Sequence, residues 1–415
     1  MKLFKTALII SLLHFSLNAT NLKELIDKTL ENNQNLKSLK SLDLSKEKSY
    51  QSVKNIYNPT LNIGANYMKL DGDVRNVQVG QTITAFAKFG INLYDGGKSK
   101  ALKQQKEYEY KASVLTTTTT IKEVLLDVVT LFFQAKTVQE NIAVLKEKQN
   151  ALKAQYERVK TKYDIKMTTI DEVLKLQSEY ESNQYTIDEL EYQKEQLLEN
   201  LSLLCGLKVT TLDNSTLPDV KDLVYVESET IKSLKMSIKA QEENIKITSS
   251  TKKPQVRFED SYNLYNYDDY NDKILTDLPD SQNQLTLNIS FNLFDTNSKD
   301  KIQASKITKK ALDQKLSFLS KQEKMKFDLA KRKLHTQELK IKSLKSAVEM
   351  GNSVYEMIKT KYQNGIVDNI TYLDALSKKV YNIALYKQAL NDYEIAKANY
   401  YFASGIDYKK AIELF

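Results

Sequence analysis

Two stretches of this chain, about two hundred residues apart, carry the same residues in the same order. Asn92-Leu93-Tyr94-Asp95 recurs as Asn292-Leu293-Phe294-Asp295, and Tyr156, Lys160, Thr161, Lys162 and Tyr163 recur as Tyr355, Lys359, Thr360, Lys361 and Tyr362. Each half closes on a glycine, Gly206 and Gly405. A fixed spacing held over so much of the length reads as an internal duplication, so one structural unit is used two times. That constrains the fold more than length does, because two alike halves argue for one body rather than several unrelated domains.

With 4 Pro and 10 Gly in 415 residues, the chain favours long helices over a loop-rich globule. Cys205 is the lone cysteine, so no disulfide, zinc or iron-sulfur site can be assembled within one chain, and no cofactor is expected. His14 falls in the leader, and His335, amid lysines and arginines on a helical stretch, reads as a solvated face residue. A formal charge of +8 spread over this length is an ordinary surface and does not point to nucleic acid.

Lys2 and Lys5, the apolar run from Ala7 to Leu13 and the small Ala19 read as a secretory signal over residues 1–19. No stretch holds the eighteen or more apolar residues that a spanning helix needs. If the chain crosses a bilayer, it does so as strands.

Pro59 and Pro254 each end a helical stretch and lead into alternating sequence. From Val77 to Tyr94 the odd positions are nearly all apolar and the even ones mostly polar or small. Leu285, Leu287, Ile289, Phe291 and Leu293 repeat the pattern against Gln284, Thr286, Asn288, Ser290 and Asn292. Shorter strands precede both: Leu61, Ile63, Ala65 and Tyr67 before the turn Asp71-Gly72-Asp73, and Val256, Phe258, Tyr262 and Leu264 before an acidic stretch at Asp268 and Asp269. Two hairpins give four strands, too few to close a barrel without exposed edges, so a membrane reading requires several chains to share one.

Elsewhere the chain reads as coiled-coil helix. Val128, Ala135, Ile142, Gln149, Tyr156 and Tyr163 recur every seven residues, interleaved with Leu131, Val138, Leu145, Leu152 and Val159. Leu334, Ile341, Val348, Tyr355 and Tyr362 form the matching series. A helix from Lys98 to Tyr163 would be roughly 100 Å long. The second rod turns back at Gly365, with Asp368 or Asn369 capping the returning helix; the first has Lys166 in the glycine's place and Thr168 or Thr169 as cap. This difference between the turns points to the second half as the moving one. The order predicted is a first repeat over 20–215, with a short helix, a hairpin about 60–94, a long helix about 98–163 and a returning helix about 169–205. A second repeat over 216–415 has its short helix, a hairpin about 255–294, a long helix about 298–362 and a returning helix about 368–404.

Proline-led hairpins, the Leu-aromatic-Asp strand endings and the turn from Gly365 to Leu373-Asp374-Ala375 together resemble the TolC-type family of outer-membrane efflux and secretion channels. The resemblance covers essentially the whole chain beyond the leader. It implies a mostly α protein with a small β part: a homotrimer whose four strands per chain, twelve in total, form a β-barrel in outer-membrane lipid, continued by a long α-helical barrel with coiled-coil packing across the periplasm. It implies as partners a periplasmic adaptor protein and an inner-membrane pump, proton-driven or ABC-type. The implied activity is that of an exit duct in tripartite efflux or type I secretion.

The resemblance also places entrance residues. Six and nine residues beyond the turn glycine, where the family places aspartates, this chain has Thr371 and Asp374, so one aspartate per chain is expected there. Six beyond Lys166 stands Glu172. The family's lock joins a tyrosine and an arginine of the second half to a carboxylate of the first; Tyr362 and Glu157 match, and Val367 takes the arginine's place. The implied entrance is held by packing and a Tyr362 to Glu157 contact. A periplasmic or cell-surface coiled-coil rod is the alternative, which explains the heptads but not two matched hairpins. Catalysis is not expected: adjacent carboxylates such as Asp171-Glu172 or Asp268-Asp269 point about 100° apart on a helix and do not converge on a substrate.

Overall fold

The computed structural model describes residues 21–407 except 56, 73–75 and 221, with the backbone alone at 296. The expected signal peptide and the last residue of the Asp71-Gly72-Asp73 turn lie outside the described residues. In chain order the elements are α1 (Leu22–Asn32), α2 (Gln34–Ser52), β1 (Thr60–Lys69), β2 (Gln81–Tyr94), α3 (Lys98–Asp164), α4 (Ile170–Cys205) and α5 (Glu229–Ser249). After a short 3-10 turn follow β3 (Gln255–Asp268), β4 (Ser281–Ser290), α6 (Thr296–Gln363) and α7 (Asn369–Ala403). Among the described residues no helix is long and apolar enough to cross a membrane.

The chain divides into two compact units. One comprises Leu39–Thr117 and Glu229–Lys321; the other comprises the described parts of Met1–Ser38, Thr118–Ser228 and Gln322–Phe415. Helices α3 and α6 begin in the former and end in the latter.

The first of these units is built on a four-stranded antiparallel sheet of order β1-β2-β3-β4. Pro59 and Pro254 stand immediately before β1 and β3, where a missing amide hydrogen ends helix and costs the ladder nothing. Register pairs Leu61 with Phe89, Ile63 with Ala87, Phe258 with Leu287 and Val256 with Ile289, so the apolar alternations of all four strands share one face. That face is open: Ile63 is 81% exposed, and Leu61, Leu264, Leu285, Leu287 and Ile289 are at least half exposed. Asp260 interrupts it in mid-strand, opposite Phe89 on one side and Leu285 on the other, and Asp268 shares the face at the end of β3.

Strand ends differ from the sequence expectation at two places. Strand β2 begins at Gln81 rather than Val77; just before it the Gly80 amide donates to the Asp269 carbonyl (2.9 Å), at an approach where a Cβ would stand 2.7 Å from the Asp269 carboxylate. Strand β4 stops at Ser290, so Leu293-Phe294-Asp295 lies beyond it. Asp295 instead accepts from the Asn297 and Ser298 amides (3.0 and 3.2 Å) and starts α6. Inside the sheet, Phe86 lies over Gly64, where a Cβ would come within 2.6 Å of the ring.

The other unit is helical. Its main core gathers Leu22, Leu25 and Ile26 of α1, Val128, Val129, Phe132 and Phe133 of α3, and Leu201 and Cys205 of α4. The predicted single short helix at the start is two. Asn33 breaks it, leaving the helical backbone region and accepting the Leu36 amide on its side chain (3.0 Å), so that it caps the second helix. The segment between α4 and α5 is tied to α7 by a buried ion pair. Lys397 donates to the Leu217 carbonyl (2.6 Å) and pairs with Glu394 (2.9 Å), whose other oxygen accepts the Leu217 amide (2.7 Å). Removing one partner of such a pair strands the other charge without solvent. Lys397→Met is expected to lower the unfolding free energy by about 3 kcal/mol, and pairing it with Glu394→Leu to recover much of that loss, both read from urea denaturation of the detergent-solubilised protein.

Candidate functional site at the helical turns

The turns joining α3 to α4 and α6 to α7 have the same backbone. In the first, the Lys166 amide donates to the Tyr163 carbonyl (2.8 Å) and the Met167 amide to the Lys162 carbonyl (2.8 Å). In the second, Gly365 donates to Tyr362 (3.1 Å) and Ile366 to Lys361 (2.9 Å). This is the paired closure that ends a helix on a left-handed residue. Gly365 adopts φ +74°, and Lys166 adopts φ +62° although it carries a Cβ. The expected difference between the turns is therefore one of conformational cost, about 1–2 kcal/mol for a non-glycine residue, and not one of shape.

The returning helices start differently. Asp368 caps α7, accepting from the Thr371 amide (2.9 Å) and hydroxyl (2.6 Å), and these bonds hold its carboxyl below the usual range. Thr169 stands at the corresponding position of α4 without a side-chain cap bond, while the Thr168 hydroxyl donates to Glu172 (2.7 Å).

Just behind the turns the four helices close on a tyrosine-rich core. Leu152 and Val159 of α3, Val173 and Leu176 of α4, Tyr355 of α6, and Tyr372, Leu373 and Leu376 of α7 are all buried there. Tyr362 stacks on Tyr372 with ring centroids 5.0 Å apart and planes 21° off parallel. Tyr355 meets Tyr372 at 6.0 Å, with the two hydroxyls 3.4 Å apart. Burial pushes the Tyr372 and Tyr362 hydroxyls above the ordinary phenol range, so both stay neutral donors and acceptors at physiological pH. Gln155 of α3 donates its amide to the Tyr362 hydroxyl (2.5 Å), which partly offsets the shift there.

The partner that the structure gives Tyr362 is thus Gln155 and not the expected Glu157. Two residues apart on a helix means about 200° of rotation, so both side chains cannot face α6. Gln155 is buried, whereas Glu157 is exposed and lines an open groove with Lys153, Tyr156, Gln177, Tyr180 and Glu181. Asp374 and Thr371 are exposed on α7, and Gly365 forms the turn itself. Sequence reading sought a carboxylate for Tyr362 and so passed over Gln155, although it stands one residue before the heptad tyrosine, Tyr156. It also missed Asn183 and Asn382, which donate to the Leu145 and Ala347 carbonyls (3.0 Å each) and tie each returning helix to its outgoing one. Their spacing of 199 residues equals that of Tyr163 and Tyr362, a signal that was available. Among the described residues no group of three or more His, Cys, Asp or Glu is placed to hold a metal ion.

Residues 25–207 match the family model described as outer membrane efflux protein. Sequence comparison with curated proteins gives no match. Among solved structures, the Campylobacter jejuni CmeC outer membrane channel superposes with a TM-score of 0.84 at 16% identity, covering 94% of this chain and 88% of that one. The outer membrane protein VceC of Vibrio cholerae gives 0.81 at 12% identity, covering 92% and 96%. The open-state Neisseria gonorrhoeae MtrE outer membrane channel gives 0.78 at 16% identity, covering 92% and 88%. The chain therefore has the fold of outer-membrane channels over nearly its full length. Its TolC-type resemblance, read first from the strand endings and the turn, is shown by the family match and the fold together.

Relieving the left-handed lysine tests the turn geometry. Lys166→Gly is expected to stabilise the chain by about 1 kcal/mol and Gly365→Ala to destabilise it by a similar amount, measured as opposite shifts of the urea midpoint.

Proposed function

We propose that three copies of this chain form an outer-membrane exit duct, reaching into the periplasm, for a tripartite efflux or type I secretion system. The observation that carries this reading is the sheet. Its apolar face is exposed over all four strands, and among the described residues the outer edges of β1 and β4 have no strand beside them. Hydrocarbon is the solvent such a face suits, and hydrocarbon does not tolerate open edges. Three copies joined β4 to β1 give twelve strands with the apolar faces turned to lipid and the polar faces lining a lumen. Long helices of the three chains continue the lumen as an α-helical barrel, with the two halves of each chain supplying similar sectors.

The turns form the periplasmic entrance, where Asp374, Thr371, Glu172 and Glu157 set the charge and Gly365 sets the bend. Tyr362 and Gln155 hold α6 to α3, and opening breaks that bond as the returning helices rearrange. The duct has no chemistry of its own: an adaptor protein and a proton-driven or ABC-type pump supply the energy and choose the cargo.

Two measurements test this. Detergent extracts of outer membranes are expected to yield heat-resistant trimers, and a soluble periplasmic rod would sink the duct reading. In planar bilayers, Gln155→Ala with Tyr362→Phe is expected to raise the open-to-closed ratio about fivefold for each bond worth about 1 kcal/mol. Glu157→Ala alone is expected to leave it unchanged. Gating that responds to Glu157 and ignores Gln155 would reverse the assignment.

A further inference from the structure

The polar face of the sheet is neutral almost everywhere. Of the side chains that the strand register places on it, those charged are Lys88, Arg257 and Glu259, and they meet. Lys88 reaches one oxygen of Glu259 (3.0 Å) and the Arg257 Nε reaches the other (2.6 Å), so the carboxylate is fully engaged between two cations. Arg257 extends further: its Nη1 donates to the Asn92 side-chain oxygen (3.0 Å), and its Nη2 lies where a Cβ on Gly90 would stand, at 2.7 Å. Glycine at position 90 is what leaves room for the guanidinium.

Beyond the guanidinium opens a cleft, where the sheet gives way to the start of α3, lined by Asn92, Asp95, Lys98, Arg257, Asn288 and Ser290 among others. The carboxylate of Asp95 is held by its own helix start, accepting from the Ser99 amide (2.8 Å) and hydroxyl. Asp95 is thus engaged through one oxygen and Glu259 through both, and Lys88, Lys98 and Arg257 outnumber the two carboxylates by one positive charge. A guanidinium, an ammonium and side-chain amides around a polar recess are the donor set for a carboxylate or phosphate group.

We propose that this cleft is an anion-selecting station on the duct wall, taking small solutes or cargo groups that carry a carboxylate or phosphate. The proposal rests on the duct reading, in which the polar face lines the lumen. Three copies place the stations in one belt at the base of the barrel, and charged rings of this kind set ion preference in pores. Such a belt acts over about 10 Å at 0.1 M salt, so it selects locally and is weakened by salt.

The test is the chloride-to-potassium permeability ratio of the reconstituted protein, taken from reversal potentials in a KCl gradient. Arg257→Gln with Lys98→Gln is expected to lower the ratio about twofold or more at low salt, and less at 1 M. Asn288→Asp places a carboxylate in the cleft without removing either cation and is expected to lower the ratio in the same direction. This second variant decides the matter if the first does not fold. A variant that conducts with the wild-type ratio overturns the station and leaves the duct standing. Wild-type protein that forms no conducting pore overturns both.

Discussion

Backbone hydrogen bonding at the sheet edges sets the terms for the rest of the molecule. Inside the sheet every neighbouring strand pair is antiparallel and in continuous register apart from one irregularity between Asn92 and Tyr94. At β1 and β4 that ladder stops, beside a face carrying Ile63, Leu285 and Ile289 in the open. Water would satisfy the edges but not the face; lipid would suit the face but not the edges. Closure with further strands in a membrane satisfies both demands together. The sheet therefore argues for assembly and for membrane from a single set of observations.

The same logic marks what the sheet cannot put on its two faces. Phe86 covers Gly64 and Arg257 lies across Gly90, so both glycines serve close approach rather than flexibility. On the apolar face Asp260 stands alone in mid-strand, with one carboxylate oxygen buried and unbonded. On the polar face charge is confined to one cluster, and most of the other side chains there are amides and hydroxyls.

Much of this was legible beforehand because each element rests on a short-range rule. Prolines at 59 and 254, period-two alternation and a/d heptads are local signals, and β1, β3 and the long helices begin within two residues of where those signals place them. What escaped depended on contacts far apart in sequence. The break at Asn33 needs a cap that also reaches the Leu204 carbonyl (2.9 Å). Gln155 has no mark of its own until α6 brings Tyr362 beside it. Lys166 was misjudged for a different reason: propensity disfavours lysine at φ +62°, yet the helices on either side and two backbone hydrogen bonds impose that conformation.

These energies bear on how the entrance works. A buried tyrosine pair contributes about 0.5–1.5 kcal/mol beyond its area, and a neutral hydrogen bond about 1 kcal/mol. The contacts of Tyr362 with Tyr372 and Gln155 therefore sum to only a few kcal/mol per chain. Among the described residues no charge pair reinforces the Tyr362 contacts: Glu172 is engaged by Thr168, Asp368 by Thr371, and Val367 stands where the family has arginine. Under the proposed duct reading, contacts of this size would be overcome by a partner that favours the rearranged form a few hundredfold. Because the two turns share one backbone, the difference between them lies in what stands behind each. Tyr362 stacks on Tyr372 between α6 and α7, whereas between α3 and α4 Gln149 donates to the Tyr180 carbonyl (3.3 Å) beside Leu152, Val159, Val173 and Leu176.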